Sequence, residues 1–246
     1  MGLEIQTVSV FSSKGSRSAQ EDHVLVNKKK SAFMVADGFG GPVAGALTAK
    51  NACEFIRGFL EKEAGDLEAT LPFVLRGYYS LAGNVLFNAL IHANREILRL
   101  NSGQHIHEKG GASVIAGFMD NGILALANVG ACSAWLFRNG KIIELVLPRT
   151  YSRLLYPEQV DSVSLFDSPL MAMGMTSDLE PEIVEYRIQS GDWVLLQTDG
   201  LRAESRQGIL EIFGRNASPE EAAHEITALL QNGRYDDNVA ASVVIF

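Results

Sequence analysis

Two strand-like apolar runs in this chain finish on the same dipeptide. Ser31-Ala32-Phe33-Met34-Val35-Ala36 leads into Asp37-Gly38, and Trp193-Val194-Leu195-Leu196-Gln197-Thr198 leads into Asp199-Gly200. A third acidic group, Asp236-Asp237-Asn238, stands just before the last apolar run, Val239 to Phe246. A carboxylate at the end of a buried strand is costly unless another charge cancels it. No Lys or Arg run sits beside Asp37 or Asp199. Hard divalent cations with oxygen ligands are the natural partner, so three turn-like dipeptides become one candidate metal centre. Glycine after the acid lets the backbone turn sharply and its carbonyl approach an ion. Asp-Gly is also a common turn signal, so a single copy decides nothing.

The 246 residues suffice for a large core, and the balance of 47% hydrophobic to 20% charged residues is that of a globular protein. A net charge of −8 argues against nucleic acid as a partner. The one dense basic run, Lys28-Lys29-Lys30, lies between two strand-like runs and fits a solvated turn. Cys53 and Cys132 lack metal-ligand spacing and are expected as buried, reduced thiols of a cytoplasmic protein. The N-terminus lacks the layout of a signal peptide, and no apolar run is long enough to cross a bilayer, so no membrane partner is expected. Asn216-Ala217-Ser218 matches a glycosylation sequon but carries no meaning without a secretion signal.

Periodicity predicts strands at Glu4–Phe11, Val24–Val26 and Ala32–Ala36, then a helix from Gly45 with Thr48, Ala52, Phe55, Ile56, Phe59 and Leu60 on one face. A second, longer helical stretch opens at Pro72 and runs to about Leu100. Ala112–Met119, Ile123–Asn128, Ser133–Phe137 and Lys141–Val146 look like a meander, turned at Asp120-Asn121-Gly122 and Arg138-Asn139-Gly140. Pro148 to about Pro169 lacks a period and is expected as loop. Ile183–Ile188 and Trp193–Thr198 are strands around Ser190-Gly191-Asp192, and Ser218-Pro219-Glu220-Glu221 is a capping box opening a helix to about Leu230. Short turns mean antiparallel pairing, and amphipathic helices supply the cover such sheets need. The expectation is a single α+β domain over residues 1–246, with no linker.

The acids belong to an ordered series of motifs. It comprises Arg17-Ser18-Ala19-Gln20-Glu21-Asp22, then Val35-Ala36-Asp37-Gly38-Phe39-Gly40-Gly41 with Gly45 beyond it, Gly111-Ala112-Ser113, Ala127-Asn128-Val129-Gly130, Thr198-Asp199-Gly200-Leu201 and Asp237-Asn238. The series resembles the metal-dependent serine/threonine protein phosphatases of the type 2C (PPM) family, in a compact bacterial-type form, from Arg17 to the C-terminus. That resemblance implies a four-layer α-β-β-α sandwich of two antiparallel sheets flanked by helices. It implies two divalent cations, manganese or magnesium, bridged by Asp37, with the Gly38 carbonyl, Asp199, Asp237 and Glu21 as further ligands and Asp22 as supporting acid. Arg17 matches the residue that binds the substrate phosphate, and Asn238 a position that orients the last ligand. Two ions roughly 3.5–4 Å apart hold a bridging water, lower its pKa and clamp the phosphoryl group, so neither cysteine is needed as nucleophile. A planar guanidinium fork suits two phosphate oxygens. The implied substrate is a phosphoserine or phosphothreonine protein, itself the target of a Ser/Thr kinase, acted on by a monomer.

Two positions depart from the family pattern. Ala131 stands where many members carry an aspartate for a third, weaker ion, and Pro42 where a histidine is proposed to protonate the leaving alkoxide. The Thr150–Asp167 segment lacks the usual Asp-His pair. These departures motivate a second hypothesis, a pseudophosphatase that binds phosphoproteins or partners without turnover. A small phosphorylated metabolite is a third, weaker possibility as substrate. His105 and His107 suit an exposed loop better than a zinc site, and His23, beside Asp22, suits a simple strand position better than a partner of the metal ligands. His92 and His224 fall on helices, Met171 to Met175 suit core or loop filling better than a partner groove, and Arg149 and Arg153 suit a phosphoprotein contact and a solvated face equally.

General acid help is worth typically 10²–10⁴-fold. With Pro42 in that place, an aryl phosphate should be cleaved far better than a phosphoserine peptide, relative to a family member with the histidine. Steady-state rates on both substrates check this, and equal ratios in the two enzymes would discard the idea.

Overall fold

The computed structural model describes residues 3–63, 75–156, 167–215 and 217–246. Ten strands form two antiparallel five-stranded sheets. The first has the order β1 (Thr7–Ser13), β10 (Val239–Ile245), β9 (Trp193–Gln197), β6 (Ser133–Arg138), β7 (Lys141–Val146). The second has β2 (Asp22–Asn27), β3 (Ala32–Phe39), β4 (Gly111–Asp120), β5 (Ile123–Val129), β8 (Glu182–Arg187). Helices α1 (Pro42–Glu63) and α2 (Leu81–Asn101) cover the second sheet, and α4 (Ala203–Phe213) and α5 (Pro219–Gln231) cover the first. The expected four-layer α-β-β-α sandwich is therefore what the chain builds.

The central strands are largely apolar because each is buried on both faces, and alternation sorts its residues between two cores. In β3, Phe33 and Val35 face the other sheet while Ala32, Met34 and Ala36 face α1 and α2. In β9, Val194 and Leu196 face inward while Trp193 and Leu195 meet α4 and α5. The inner layer closes with Ala134, Leu136, Ala240, Val244 and Phe246 against Ile115, Leu124 and Leu126.

The turn chemistry is as the sequence predicts at both Asn-Gly sites. Asn121 and Gly122 have φ of 50° and 75°, and Asn139 and Gly140 of 52° and 70°, the left-handed pair of a type I′ hairpin. The four strands do not form one meander, however. β4–β5 and β6–β7 are hairpins in different sheets, with the chain crossing between them after Val129. Likewise β8 and β9 do not pair, and Ser190-Gly191-Asp192 is a corner between sheets, fixed where Gly191 N–H donates to the Phe246 carbonyl at 2.7 Å. A local pattern specifies a strand and a turn; which sheet each strand joins is decided by the inner layer it fills.

Helix ends follow their caps. Ser218 accepts from Glu221 N–H and Glu221 returns the bond, with Pro219 in the first turn, so α5 starts where the sequence places it. α2 begins at Leu81, capped by Ser80, and residues 75–80 are turn and coil. The expected earlier start at Pro72 lies outside the described residues. A short helix, α3 (Tyr151–Leu155), capped by Thr150, occupies part of the segment expected as loop. α4 was not expected: Arg202 at its N-cap makes no side-chain capping bond and Gly208 interrupts its pattern. Gly208 instead lets α4 approach Leu229 of α5. Lys28–Lys30 forms a single 3-10 turn in the β2–β3 connection, with no buried side chain.

Helix α1 meets β3 through two glycines. A Cβ on Gly38 would lie 2.1 Å from the Gly45 carbonyl oxygen, whereas one on Gly45 would meet the Glu21 Oε2 at 2.2 Å. The first obstacle is backbone and the second is the far end of a flexible side chain. Gly38→Ala should therefore lose on the order of 1–3 kcal/mol of stability and Gly45→Ala clearly less; urea denaturation of both variants checks the order.

Candidate metal centre

Alternation along the strands carries the functional side chains to one end of the sandwich. Counting inward-facing positions gives Phe33, Val35, Asp37 on β3 and Val26, Val24, Asp22 on β2, with Asp22 directly opposite Asp37. The same count gives Val194, Leu196, Thr198 beyond β9, and Val244, Ser242, Ala240, Asn238 leading out of β10. The apolar inner layer thus gives way to polar groups where both sheets end. Thr198 bridges the sheets: its Oγ1 donates to Asp22 Oδ2 at 2.7 Å and accepts from Ala240 N–H at 2.9 Å.

Asn238 organises the approach from the other side. Its Oδ1 accepts from Glu21 N–H at 2.9 Å, and its Nδ2 donates to the carbonyls of Ala19 (2.8 Å) and Lys14 (3.0 Å). One buried amide thereby fixes the loop that presents Arg17 and Glu21. The Asn238 backbone N–H donates to Asp237 Oδ1 at 2.7 Å, whereas its side chain bonds Glu21, Ala19 and Lys14. Glu21 points toward Gly45 at the start of α1. Gly38 N–H donates to the Glu21 carbonyl at 3.2 Å.

The charges confirm the crowding. Asp22 is 6% exposed, and loss of water pushes its pKa up to about 7, with Asp199 adding like charge against the stabilising Thr198 hydroxyl. Asp37 is held well above the usual carboxylate range by burial and by the charges of Asp199 and Asp22, and hydrogen-bonds to Asp22. Asp199 stands at the rim, where solvent reaches it, yet the surrounding protein and the charges of Asp237 and Asp167 push it up to about 6. Because it keeps some water, its shift weighs less than that of Asp22. Opposite Asp37 on β4, Ser113 Oγ is buried without a hydrogen-bond partner.

The structure thus brings Asp22, Asp37, Asp199, Asp237, Glu21 and the Gly38 backbone to one mouth. Among the described residues, no three His, Cys, Asp or Glu side chains are drawn together as a ready-made metal site. Two carboxylates are engaged elsewhere: Asp22 by Thr198, and Asp237 by Arg17, whose Nη2 lies 2.6 Å from Asp237 Oδ2. Arg17 therefore faces an acid here rather than standing clear for a phosphate. The donor set still fits a hard divalent cation, since it offers oxygen atoms and three carboxyls that repel one another. Sequence reasoning passed over Asp167, whose charge reaches Asp199, because it follows a stretch without periodicity. Thr198 was visible only as the residue before Asp-Gly.

Other candidates fall away. His23 pairs with Ala36, on the face turned from the acids. His105 and His107 stack at 5.8 Å on an exposed loop. Cys53 and Cys132 are both free and buried, and burial pushes the Cys132 thiol up, so it is no ready nucleophile. Met173 is core, while Met175 is exposed. Arg153 pairs with Glu144 at 3.0 Å and Arg149 donates to the Glu180 carbonyl at 3.0 Å, so both already hold partners within the fold. A hollow between α4 and α5, lined by Gly208, Ile212, Arg215, Glu225, Leu229 and Asn232, contains none of the acids. Among the described residues no helix is long and apolar enough to cross a membrane.

Comparison with known proteins bears on this geometry. The family model of stage II sporulation protein E (SpoIIE) matches residues 27–245, beginning after Arg17, Glu21 and Asp22. The serine/threonine protein phosphatase PstP of Mycobacterium tuberculosis is 26% identical over 92% of this chain and 42% of its own length. The probable protein phosphatase 2C 2 of Arabidopsis thaliana is 30% identical over 54% of this chain and 32% of its own. The chain thus spans less than half the length of these relatives. Among solved structures, the catalytic domain of PstP in complex with two manganese ions superposes with a TM-score of 0.75 at 22% identity, covering 98% of each chain. At that identity the superposition establishes the fold.

The raised carboxyls give a pH prediction. A folded pKa above the ordinary value of about 4 means the fold favours the protonated acid. The penalty is absent below about pH 4, grows as pH rises, and for Asp22 is complete above its pKa of about 7. Each pKa unit is worth about 1.4 kcal/mol. In chelator, the stability gain of Asp37→Asn over the unmodified protein should therefore widen from about pH 5 to about pH 8. Thermal melts across that range check it, and a constant gap contradicts it.

Proposed function

Because the chain belongs to the stage II sporulation protein E (SpoIIE) family, of the type 2C (PPM) kind, we propose that it is a metal-dependent protein serine/threonine phosphatase, acting as one domain over residues 1–246. The observation that carries the reading is the meeting of Asp22, Asp37 and Asp199 at one mouth, each pushed above the usual carboxylate range by lost water and mutual repulsion. A cluster of that kind is stabilised by added positive charge. Asp37, Asp199, Asp237, Glu21 and the Gly38 carbonyl are the groups that would hold two divalent cations, manganese or magnesium, as the likeness to a manganese-bound catalytic domain supports. When bound, the cations supply a water of lowered pKa and a clamp for phosphoryl oxygens.

The chain's own residues do the rest. Asp22, locked by Thr198, supports the ligands without facing solvent. Arg17 offers its planar fork to the phosphate. In the hydrolysis a water oxygen forms the new bond to phosphorus, the phosphorus–oxygen bond to the serine or threonine side chain breaks, and the departing oxygen takes a proton. Pro42, at the start of α1, has no proton to give. The substrate is a phosphorylated protein that a Ser/Thr kinase has modified, met in the cytoplasm by a monomer.

A specific observation favours a second reading. Ala131 is buried where an acid would serve a further ion, and Arg17 already engages Asp237, so a module that binds phosphoproteins without turnover is the alternative. Manganese-dependent hydrolysis of a chromogenic aryl phosphate decides between them. Turnover should appear with manganese and fall at least 10²-fold in Asp199→Asn, the scale of losing one electrostatic element of a hydrolytic site. Folded protein that stays inert at millimolar manganese supports the binding module.

A further inference from the structure

We infer that Arg17 is the resident cation of the acidic mouth, and that a divalent cation must displace it from Asp237 before the guanidinium is free to take a phosphate. This rests on the phosphatase reading above, with Asp237 as a metal ligand.

Asp237 has both oxygens engaged: Oδ2 by Arg17 Nη2 at 2.6 Å, and Oδ1 by Asn238 N–H at 2.7 Å. The second bond is local backbone geometry and leaves that oxygen's other lone pair available. The first puts a full positive charge where a cation would bind. Asp199 and Glu21 also act electrostatically on the same guanidinium, so Arg17 feels three of the proposed ligands at once.

The exposure of the pair indicates that it can exchange. Arg17 and Asp237 side chains are 60% and 44% exposed, whereas the structural pair Arg138–Asp192 is 24% and 3% exposed. Solvated pairs are weak and a divalent ion with several oxygen ligands outcompetes them. The backbone need not move. Asn238 and the bond from Ser16 Oγ to the Asp236 carbonyl at 2.7 Å hold the loop, so the displaced guanidinium swings on its own side chain. Arg17 then serves twice, first as a placeholder and afterwards as the phosphate fork. Binding linkage requires the effect to be reciprocal: whatever holds Arg17 on Asp237 weakens the cation, and the bound cation weakens the pair.

Calorimetric titration of chelator-stripped protein with manganese alone tests this, using the unmodified chain, Arg17→Ala, Arg17→Lys, Asp237→Asn, Asp37→Asn and the double variant Arg17→Ala/Asp237→Asn. Removing a weak competitor should tighten manganese binding in Arg17→Ala by roughly twofold to fivefold. In the Asp237→Asn background the same change should have less than about twofold effect, since the coupling belongs to the pair. Arg17→Lys, which keeps the charge and loses the fork, should fall between the unmodified protein and Arg17→Ala. Tightening is opposite to what damage to the fold would cause, so a structural role cannot mimic it. Unchanged or weaker binding in Arg17→Ala, with manganese binding still lost in Asp37→Asn, overturns the exchange and leaves the phosphatase reading intact. No manganese binding by the unmodified protein overturns both.

Discussion

The two-residue repeat of a strand buried on both faces is the constraint from which the site follows. A strand that feeds Phe33 and Val35 into the inner layer must deliver Asp37 in the same direction. Four strands obey the rule at the same end, so Asp22, Asp37, Thr198 and Asn238 converge without any loop having to reach for them. The cost is electrostatic: carboxyls stripped of water and set beside one another resist ionisation. The helices on both outer faces make the arrangement possible. They bury the alternate residues Ala32, Met34 and Ala36 and so keep the strands rigid along the length that aims the acids.

Much of this was legible in the sequence because local chemistry writes it there. The Asn-Gly turns, the capping box at Ser218 and the apolar runs each carry their own signal, and all three lie where expected. The strands' partners were not legible. Ala112 to Val146 resembles a meander, yet its two hairpins part into different sheets, because partner choice depends on which inner layer completes the core. α4 was missed for want of a capping side chain at Arg202, its stability coming instead from Ile209 and Ile212 packed under α5. A helix stabilised by its tertiary contacts leaves a weak trace in the chain.

The site was legible to a similar depth. The acidic residues were identifiable as strand-terminal carboxylates without cationic neighbours, and they do meet at one mouth. Their partners were not identifiable, because Thr198, Ser113 and Asp167 gain their meaning only from what lies across the fold. The Arg17–Asp237 contact joins residues at opposite ends of the sequence, and it alters the expected picture most. Arg17 is itself one of the charges that balance the mouth.

The pairing of β1 with β10 sets Thr7 beside Ile245, and the Arg17–Asp237 contact spans 220 positions of sequence. Contacts so distant along the chain are the slowest to form, since loop closure must precede them. A chain in which β10 has not yet paired can therefore complete the second sheet, but cannot close the mouth. Only when β10 slides in between its neighbours β1 and β9 do Arg17 and Asp237 come together, so the charge balance of the mouth waits on the pairing of greatest sequence separation in the fold.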